Sequence, residues 1–378
     1  MIVIVLPQLY GVHGIARYVQ SFAQTAPDGH EIAILAGSDR SGTVDLGVAK
    51  VYNLPLPRGR LGLAVWSFHA RRCLKDLARQ GKVDVINLHV PPLIPSLLVP
   101  RLAPIVLTAH TTYLGMSGQF YGGRDFDSQW GSLSIAAKKL IEKVLFRRAD
   151  SIVTLTEQGR QEIERYGYRG PIEVIPNGVH AEKFEPDRRA RKDIDVLFVG
   201  RIEKRKGSRA IVPVCRELVE RAPKVRVCIV GYGDDEDFVR AGLADCAGNV
   251  TFVGRQPFDE VLKYYHRSKV YASTSYYEGL PGTCLEAMSA ELVPVVWDYL
   301  FYRDVVIDGV NGRLIAPNAH GAFVDALLEV LVDEANRERM SKAARLTVLD
   351  NFRWDDIARR LVDMNHSIAK ARGARRDT

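Results

Sequence analysis

One short stretch of this chain combines a strand, a polar loop and a proline in a pattern that favours anion binding. An apolar strand is predicted at residues 270–274, and Pro281 follows after a polar loop. Because proline fixes φ near the helical value, it suits the start of a helix at Gly282. Free backbone N–H groups at Gly282, Thr283 and Cys284, together with the positive end of the helix dipole, would attract an anion there.

Two glutamates flank this predicted anion site. Glu278 lies in the loop before the helix, and Glu286 lies inside the helix. Each carboxylate can accept a pair of hydrogen bonds from a diol, so a diphosphate with a sugar on either side would satisfy both. The plain alternative is a solvated loop carboxylate and an exposed helical one. The intervening Gly-Leu-Pro-Gly and the preceding strand favour the functional interpretation.

A second candidate segment follows the strand predicted at residues 195–199. Gly200 permits a tight turn at the carboxyl end of that strand, which is where α/β sheets bind ligands. Arg201 offers a planar fork and Lys206 a point charge, and both suit phosphate oxygens. A basic loop that is merely solvated is the alternative. The Asn-Gly pair at residues 177–178 marks a further turn.

Together these segments resemble family 4 of the glycosyltransferases, which are retaining, nucleotide-sugar-dependent enzymes of the GT-B fold. The family has two glutamates separated by seven residues, as Glu278 and Glu286 are. The other matching segments are Gly200-Arg201, Lys206-Gly207, Pro176 to Phe184, Gly231-Tyr-Gly233, Phe252-Val-Gly254, Ala287-Met288, Pro294-Val-Val296 and Asp308 to Gly312. The resemblance covers nearly the whole chain and is strongest over residues 172–315.

The resemblance implies a role for each matched residue. Glu278 would bind the donor sugar and Glu286 the nucleotide ribose, while Arg201 and Lys206 would stabilise the leaving diphosphate. The residues implied to contact the donor are Gly14, Gly200, Arg201, Lys206, Gly254, Glu278, Gly279, Leu280, Pro281, Gly282, Thr283 and Glu286. The co-substrate would be a UDP- or GDP-sugar, with no further cofactor and no metal, because fixed cations and a helix terminus do the electrostatic work.

In the N-terminal half, the resemblance points to two sites. The glycine-rich loop of the family corresponds to residues 10–17, where Gly14 fits the second glycine and His13 replaces the first. His110, at the end of a predicted strand, matches the active-site histidine that faces the donor sugar. A polar loop histidine is the alternative. His89 is interpreted as structural, so the predicted catalytic residues are His110, Glu278, Arg201 and Lys206.

Two segments depart from the family pattern near the sugar pocket. Glu291 stands where the family usually has glycine, and residues 297–305 lack the customary glycines. These differences bear on which sugar is bound rather than on the reaction class.

Three other patterns were weighed as ligand sites and rejected. Asp125 and Asp127 imitate a metal-binding Asp-x-Asp motif, but no apolar strand precedes them. The Gly231-Tyr-Gly233 segment lacks the third glycine of a dinucleotide motif, and the acids that follow it would repel a pyrophosphate. The nine histidines show no zinc-ligand spacing. No metal site is therefore predicted.

The elements that must position these residues alternate between apolar strands and helices. Continuous β-branched runs indicate strands buried on both faces of a parallel sheet. The predicted strands span residues 2–6, 31–35, 83–88, 105–108, 151–155, 172–175, 195–199, 226–230, 250–253, 270–274 and 293–296. Helical patterns fill 319–351, and a last helix begins near Trp354. The pattern predicts an α/β protein with two doubly wound parallel-sheet domains, and the resemblance implies that these Rossmann-like domains face across a cleft.

The predicted boundaries divide the chain at two places. Residues 1–177 and 194–354 are predicted to form the two domains. The resemblance implies that the first is the acceptor-side domain, to which a last helix at 355–378 crosses back, and that the second binds the nucleotide sugar. The polar, charged stretch 178–193 is predicted to be a linker.

Composition excludes several classes of protein. The chain is 47% hydrophobic and 26% charged, which is ordinary for a globular protein and excludes collagens and disordered tails. No apolar run reaches the ~18 residues of a membrane span, and the first residues do not resemble a signal peptide. Five scattered cysteines indicate a reducing compartment. We therefore expect a cytoplasmic protein, with peripheral attachment to the inner face of the cell membrane as a further hypothesis.

The charge is distributed unevenly along the chain. Its total of +7 divides into +6 over residues 1–177, −1 over 178–354 and +2 over 355–378. A helix predicted at 132–148 places Leu133, Ala136, Ala137, Leu140, Ile141 and Val144 on one face and carries five basic residues. With Arg58, Arg60, Arg71, Arg72, Lys75, Arg79 and Lys82 it would form a basic surface. A core-packing helix with a solvated side is the alternative; the surface interpretation predicts a phosphate-bearing or lipid-linked glycan acceptor at an anionic membrane.

The resulting hypothesis is a two-domain, retaining hexosyltransferase that needs no metal and transfers a sugar from a nucleotide diphosphate to an acceptor hydroxyl. A nucleotide-sugar epimerase on the same fold is the first alternative, and it would consume the donor without an acceptor. A basic nucleic-acid-binding protein is the second. It would need aromatic residues between the basic ones, which the first half does not clearly show.

Overall fold

The computed structural model describes residues 1–10, 14–38, 42–47, 49–59, 61–118 and 132–374. These residues form two compact units. Unit 1 contains the described residues of 1–114, 132–178 and 354–374, and unit 2 contains 115–118 and 179–353.

Unit 1 is built on one sheet, in which the described residues form eight strands. They are β1 (Ile2–Leu6), β2 (Ile32–Ser38), β3 (Gly42–Leu46), β4 (Ala49–Pro55), β5 (Val85–Val90), β6 (Ile105–Ala109), β7 (Ser151–Thr154) and β8 (Ile172–Val174). Their order is β3-β4-β2-β1-β5-β6-β7-β8, and only the edge strand β3 runs antiparallel to its neighbour. Every residue of β1, β5 and β6 is buried, as expected for strands that are covered on both faces.

The helices of unit 1 include one that returns from the end of the chain. They are α1 (Gly14–Thr25), α2 (Gly62–Arg79), α3 (Leu93–Leu98), α5 (Ser132–Arg148), α6 (Glu157–Arg165) and α14 (Trp354–Ala374), while the short α4 (Tyr113–Met116) spans the boundary with unit 2. Helix α14 packs on α1 and β5. At its start, the Trp354 ring lies 5.3 Å from that of Tyr18. A Cβ on Gly178 would lie 2.6 Å from the Trp354 ring, so this contact requires glycine.

Unit 2 is an all-parallel sheet of six strands within the described residues. The strands are β9 (Ile194–Val199), β10 (Val227–Val230), β11 (Val250–Gly254), β12 (Ser268–Ser273), β13 (Val293–Trp297) and β14 (Arg313–Ile315), in the order β11-β10-β9-β12-β13-β14. The helices are α7 (Ser208–Arg221), α8 (Glu236–Gly242), α9 (Phe258–Arg267), α10 (Gly282–Ser289), α11 (Leu300–Arg303), α12 (His320–Val332) and α13 (Glu334–Asn351). The strand order reverses between β9 and β12, and a crevice forms at the carboxyl ends of strands at such a point.

The predicted α/β class with two parallel sheets is confirmed. All eleven predicted strands are present within two or three residues of their expected ends, whereas β3, β4 and β14 were missed. β3 and β14 are edge strands, and β4, next to β3, is interrupted by Lys50 and Asn53, so none is a continuous apolar run. The segment predicted as a linker packs on unit 2 after Gly178, where the Phe184 ring meets those of Phe258 and Tyr265.

The predicted helix at 132–148 is present as α5. Ala136, Ala137, Leu140 and Val144 are exposed, and the buried side chains include Ile135, Leu145 and Phe146. The sequence interpretation grouped the apolar residues by helical spacing. The alternative of a core-packing face therefore does not hold for these four residues. The buried side of α5 contains an acid, Glu142, which is 1% exposed.

Glu142 is a buried carboxylate held between α5, α4 and the end of α6. Its Oε2 accepts hydrogen bonds from the hydroxyl of Tyr166 and, at 2.9 Å, from the backbone N–H of Tyr113. Burial raises its pKa to about 7; these two hydrogen bonds oppose the shift, and the nearby Glu162 adds to it. The ionised form is therefore costly in the folded protein.

We expect Glu142→Gln to stabilise the protein at pH 8 and to lose this advantage towards pH 5. The pKa of about 7 lies above the ordinary 4.5, so the folded protein binds this proton more tightly than the unfolded chain. Wild-type stability therefore falls as pH rises through this interval and stays reduced above it. The amide avoids a penalty of at most about 3 kcal/mol. Urea unfolding at both pH values tests this, with the exposed Glu164→Gln as control; equal gains at both pH values would contradict it.

Candidate active site

The site in unit 2 depends on loops that approach one another backbone to backbone. Gly200, directly after β9, has a φ of +149°, and Gly231, directly after β10, has a φ of +153°. A Cβ on Gly231 would lie 1.8 Å from the carbonyl oxygen of Gly200. Gly207 has a φ of +69°, and a Cβ there would lie 1.7 Å from the carbonyl oxygen of Thr274, just beyond β12. The loop 200–207 is thus fixed against the ends of two neighbouring strands.

These loops enclose a pocket at the switch point between β9 and β12, which we call the carboxyl-edge pocket. Its polar lining includes Gly200, Arg201, Lys206, Ser273, Glu278 and Thr283. The cavity volume is about 30 Å³, which is room for one or two waters. Lys206 and Glu278 form an ion pair in its wall, so a larger anion would have to compete with this contact.

Three cations and two carboxylates alternate through a connected network at this pocket. Arg201 pairs with Glu203 at 2.9 Å, and Arg205 donates to the other oxygen of Glu203 at 2.6 Å. Arg205 also lies 4.0 Å from Glu278 and donates to the carbonyl of Tyr277 at 2.9 Å. Lys206 completes the network on Glu278. One positive charge is in excess, which favours a phosphate anion as the next partner.

Burial sets the electrostatics of this network. Glu203 and Glu278 are 7% and 8% exposed, whereas the side chain of Arg201 is 58% exposed. Burial lowers the pKa of Lys206, Glu278 opposes that shift, and the charge of Arg205 adds to it. The ammonium is therefore stabilised mainly by its carboxylate partner, and a phosphate oxygen could take the place of that partner.

The second glutamate of the pair occupies a different environment. Glu286 on α10 accepts a hydrogen bond from the Tyr265 hydroxyl at 2.9 Å. Burial and the charge of Glu286 hold the Tyr265 pKa well above its ordinary value, so this hydroxyl remains a donor. At the start of α10, Thr283 shares a hydrogen bond of 2.8 Å with Tyr271. Tyrosines of β12 and α9 thus orient both side chains.

The expectation of three free N–H groups at the start of α10 is wrong for two of them. The N–H of Gly282 donates to the carbonyl of Leu280 at 2.9 Å, and that of Cys284 to the carbonyl of Pro281 at 3.0 Å. Pro281, with φ −78° and ψ +74°, turns the chain tightly, and this turn supplies both acceptors. For Thr283 N–H, the described residues provide no backbone acceptor outside the helix.

The predicted site residues divide by location. The carboxyl-edge pocket is lined by Gly200, Arg201, Lys206, Glu278 and Thr283. Its lining does not include Gly254, Gly279, Leu280, Pro281, Gly282 and Glu286, which also belong to unit 2. Gly14, at the start of α1, and His110, after β6, belong to unit 1. His13, Arg60, Asp125 and Asp127 lie outside the described residues.

His110 forms a buried pair with His89. Their rings stack, and Nδ1 of His89 lies 2.9 Å from Nε2 of His110. Burial lowers the pKa of His110 to about 3. Burial also holds the pKa of His89 well below its ordinary value, and the charge of His110 contributes to that shift. Tyr18 packs its ring edge against both. His110 is therefore neutral, so it can exchange hydrogen bonds with a ligand but cannot supply a positive charge.

Comparison with known proteins identifies the family. Residues 12–183 match the model of "Glycosyltransferase Family 4" and residues 180–347 match "Glycosyl transferases group 1". The chain belongs to the group 1 glycosyltransferases. Among its curated relatives is the phosphatidyl-myo-inositol mannosyltransferase of Mycolicibacterium smegmatis, which is 27% identical over 372 residues, or 95% of this chain and 91% of the relative.

Solved structures show that this glycosyltransferase has the GT-B fold. Sucrose-phosphate synthase from Thermosynechococcus elongatus has a TM-score of 0.80 at 18% identity, covering 98% of this chain and 100% of that one. Anabaena HepE, solved in complex with UDP-glucose, has a TM-score of 0.74 at 16% identity, covering 99% and 100%.

Sequence reasoning missed several residues that contact the predicted site residues of unit 2. Glu203 and Arg205 lie in the basic loop that was singled out, where alternating charges were the available signal. Tyr265 and Tyr271 gave no such signal, because they lie in a helix and a strand and reach α10 only in the folded sheet.

We expect Gly207→Ala to destabilise unit 2 by about 2 to 5 kcal/mol, from backbone strain and overpacking. The left-handed φ and the contact with the Thr274 carbonyl both exclude a side chain. Urea unfolding measures this, with Gly248→Ala as the matched control, because a Cβ at Gly248 would meet no atom within 4 Å. Equal stability of the two variants would show that the loop is not fixed as described.

Proposed function

We propose that this glycosyltransferase transfers a hexose, with retention of configuration, from a UDP- or GDP-sugar to an acceptor hydroxyl. The observation that carries the proposal is the network of Arg201, Glu203, Arg205, Glu278 and Lys206 at the switch point of the unit 2 sheet. Its excess positive charge suits a diphosphate. The UDP-glucose complex of HepE, a neighbour of the same fold, is in keeping with such a donor.

The proposed chemistry assigns different tasks to the two kinds of side chain. Arg201 and Lys206 neutralise the diphosphate as the bond between the anomeric carbon and the phosphate oxygen breaks. Glu278, released from Lys206 by the incoming phosphate, accepts hydroxyl hydrogen bonds of the sugar, with the backbone of residues 279–281 beside it. Glu286 binds the ribose diol. On the same face, the acceptor oxygen bonds to the anomeric carbon, and its proton passes to the departing phosphate.

His110 has a neutral role in this proposal. With a pKa of about 3 it stays uncharged, so it contacts the donor sugar as a hydrogen-bonding group. In this proposal the cations of unit 2, and not His110, stabilise the charge of the leaving group. The proposed reaction therefore needs no metal.

A lipid-linked or phosphate-bearing glycan is the acceptor class we propose, bound at an anionic membrane surface. Helix α3 packs against both α2 and α5. These three helices and the residue before α2 carry seven exposed large apolar side chains: Leu61, Val65, Phe68, Ile94, Leu98, Leu140 and Val144. Exposed Arg71, Arg72, Arg79 and Arg147 lie on the same helices. We call this set the apolar-basic face.

The apolar-basic face supports peripheral membrane attachment for two reasons. Soluble proteins seldom expose so many large apolar side chains on adjacent helices, and the neighbouring arginines suit anionic headgroups. The mannosyltransferase relative, aligned over nearly the whole chain, is named for a phosphatidylinositol. No described helix has the length and apolarity of a membrane-spanning segment.

We expect Arg201→Ala to reduce sugar transfer by at least about 10²-fold, because it removes a cation that stabilises the leaving diphosphate. Glu278→Ala is expected to impair transfer as well, through lost sugar contacts. The assay follows nucleotide release and sugar product over a panel of donors, with and without EDTA. Arg216→Ala is the matched control, because Arg216 forms an exposed pair with Asp245 elsewhere in unit 2.

Three outcomes would count against this proposal. Equal activity of Arg201→Ala and Arg216→Ala would show that the charged network does not stabilise the leaving diphosphate. Loss of activity in EDTA that added metal restores would contradict metal independence. Conversion of the donor to an epimeric nucleotide sugar without acceptor would replace transfer by epimerisation.

We expect the protein to float with anionic vesicles at low salt and to be recovered poorly with neutral ones. The double variant Phe68→Ser/Leu140→Ser should reduce recovery severalfold, since it removes apolar contacts on two helices of the apolar-basic face. Val332→Ser is the control, as Val332 is 83% exposed but lies in unit 2. Equal recovery with neutral and anionic vesicles would contradict the proposed attachment.

A further inference from the structure

Unit 2 contains a second pocket on the opposite edge of its sheet, which we call the amino-edge pocket. It lies where β9, β12 and β13 begin: Lys192 precedes β9, Ser268 opens β12 and Glu291 precedes β13. Its volume is about 340 Å³, within the range of small-molecule pockets. The carboxyl-edge pocket lies at the other ends of β9 and β12, so the two sites are separate.

Lys192 is an exposed residue whose Nζ reaches a part-buried carbonyl in the wall of this pocket. Its Nζ donates to the carbonyl of Ser268 at 2.8 Å, and no carboxylate of the described residues forms an ion pair with it. Burial lowers its pKa to about 8; Glu291 opposes this shift, while the charges of Arg188 and Arg337 add to it. An ammonium held in this way is stabilised by any anion that enters the pocket.

Arg337 offers a second cation with incomplete charge compensation. Its side chain is 13% exposed, and its guanidinium donates to the carbonyls of Val330 and Leu331 at 3.2 and 2.8 Å. Its carboxylate partner, Glu334, is 77% exposed and lies at 3.2 Å, where solvent weakens the pair. Arg337 therefore retains the capacity to bind an oxyanion.

The amino-edge pocket also contains carboxylates, and they differ in whether a cation already pairs with them. Glu291 forms two 2.7 Å contacts with Arg188, so those two charges neutralise each other. Glu291 does so from a left-handed backbone with φ +59°, which is strained for a residue with a side chain. Asp187 and Glu338 also line the pocket and can accept hydroxyl hydrogen bonds.

We propose that the amino-edge pocket binds a phosphate oxyanion, free or as the phosphomonoester of a small polyol, on Lys192 and Arg337. A point charge and a planar guanidinium together match the several acceptors of a tetrahedral phosphate better than those of a halide. The volume exceeds that of one oxyanion, and the carboxylates suit the hydroxyls of an attached polyol. This site is independent of the proposed transfer reaction.

Isothermal titration calorimetry at constant ionic strength tests the proposal on the full chain. The probes are inorganic phosphate, a hexose 6-phosphate and the neutral hexose. The starting protein is the double variant Arg201→Ala/Lys206→Ala, which lacks the two cations that line the carboxyl-edge pocket. Any phosphate that this variant binds must therefore bind outside that pocket. We expect inorganic phosphate and hexose phosphate to bind this variant, and the neutral hexose not to bind.

Further substitutions in that background locate the binding. Lys192→Met and Arg337→Gln should each weaken phosphate binding by about tenfold or more, as charge-assisted hydrogen bonds are lost. Lys263→Met removes the same charge from a 65% exposed side chain outside the pocket and should leave affinity unchanged. Tighter binding of the hexose phosphate than of inorganic phosphate assigns the ligand as a phosphomonoester, and equal binding assigns it as free phosphate.

Two outcomes would overturn the inference. One is absence of phosphate binding once Arg201 and Lys206 are replaced, which would leave the carboxyl-edge pocket as the phosphate site. The other is an equal effect of Lys192→Met and Lys263→Met on phosphate affinity, which would show that binding depends on the overall charge of the protein and not on this pocket. Neither outcome bears on sugar transfer, which the nucleotide-release assay measures separately.

Discussion

The chemistry proposed for unit 2 depends on one partly buried ion pair, between Lys206 and Glu278. Removing two charges from water is costly, and the pair persists because each charge compensates the other and because Arg205 and Glu203 extend the network to the surface. The network carries three cations and two carboxylates, so it is complete only when another anion arrives. In the proposed reaction that anion is the diphosphate of the donor, which takes Lys206 from Glu278 and frees the carboxylate for the sugar.

The ion pair exists because the backbone brings two distant loops together. Lys206 follows β9 and Glu278 follows β12, strands that are neighbours only because the order of the sheet reverses there. Gly207 allows the first loop to touch the carbonyl of Thr274, and Gly231 allows the next loop to touch Gly200. A side chain at either position would separate the charges. These glycines thus serve the electrostatics of the site, although neither contacts a ligand in the proposal.

Unit 1 contributes groups of a different character. Its histidine pair is buried and neutral, whereas the outer sides of α2, α3 and α5 combine exposed apolar side chains with arginines. The exposed arginines that the structure describes on these helices therefore lie on a surface and not in a catalytic pocket. This difference supports the proposed division of labour, in which unit 2 binds the donor and unit 1 meets an acidic or lipid-linked acceptor.

The sequence by itself determined the elements and the chemistry of the donor loops. Strands buried on both faces of a parallel sheet are mainly apolar, so β1, β5, β9 and β13 could be predicted. The start of α10 could be predicted from the Pro-Gly pair that follows a strand. Short edge strands such as β14 carry no such signal. The basic loop and Glu278 could be placed in one pocket because ligands bind where strands end.

Only the tertiary structure decided which groups face one another. It buried Glu142 in α5 and left Leu140 exposed, since burial depends on what packs against a helix and not on helical spacing alone. In the folded chain, the Gly282 and Cys284 N–H groups bond to carbonyls of a turn, and His89 pairs with His110. Tyr265 and Tyr271, from a helix and a strand earlier in the chain, bond to side chains of α10. The tertiary structure also placed Lys192, Glu291 and Arg337 around one cavity. Residues far apart in the chain share a site only through the strand order and packing of the folded sheet, which no local pattern encodes.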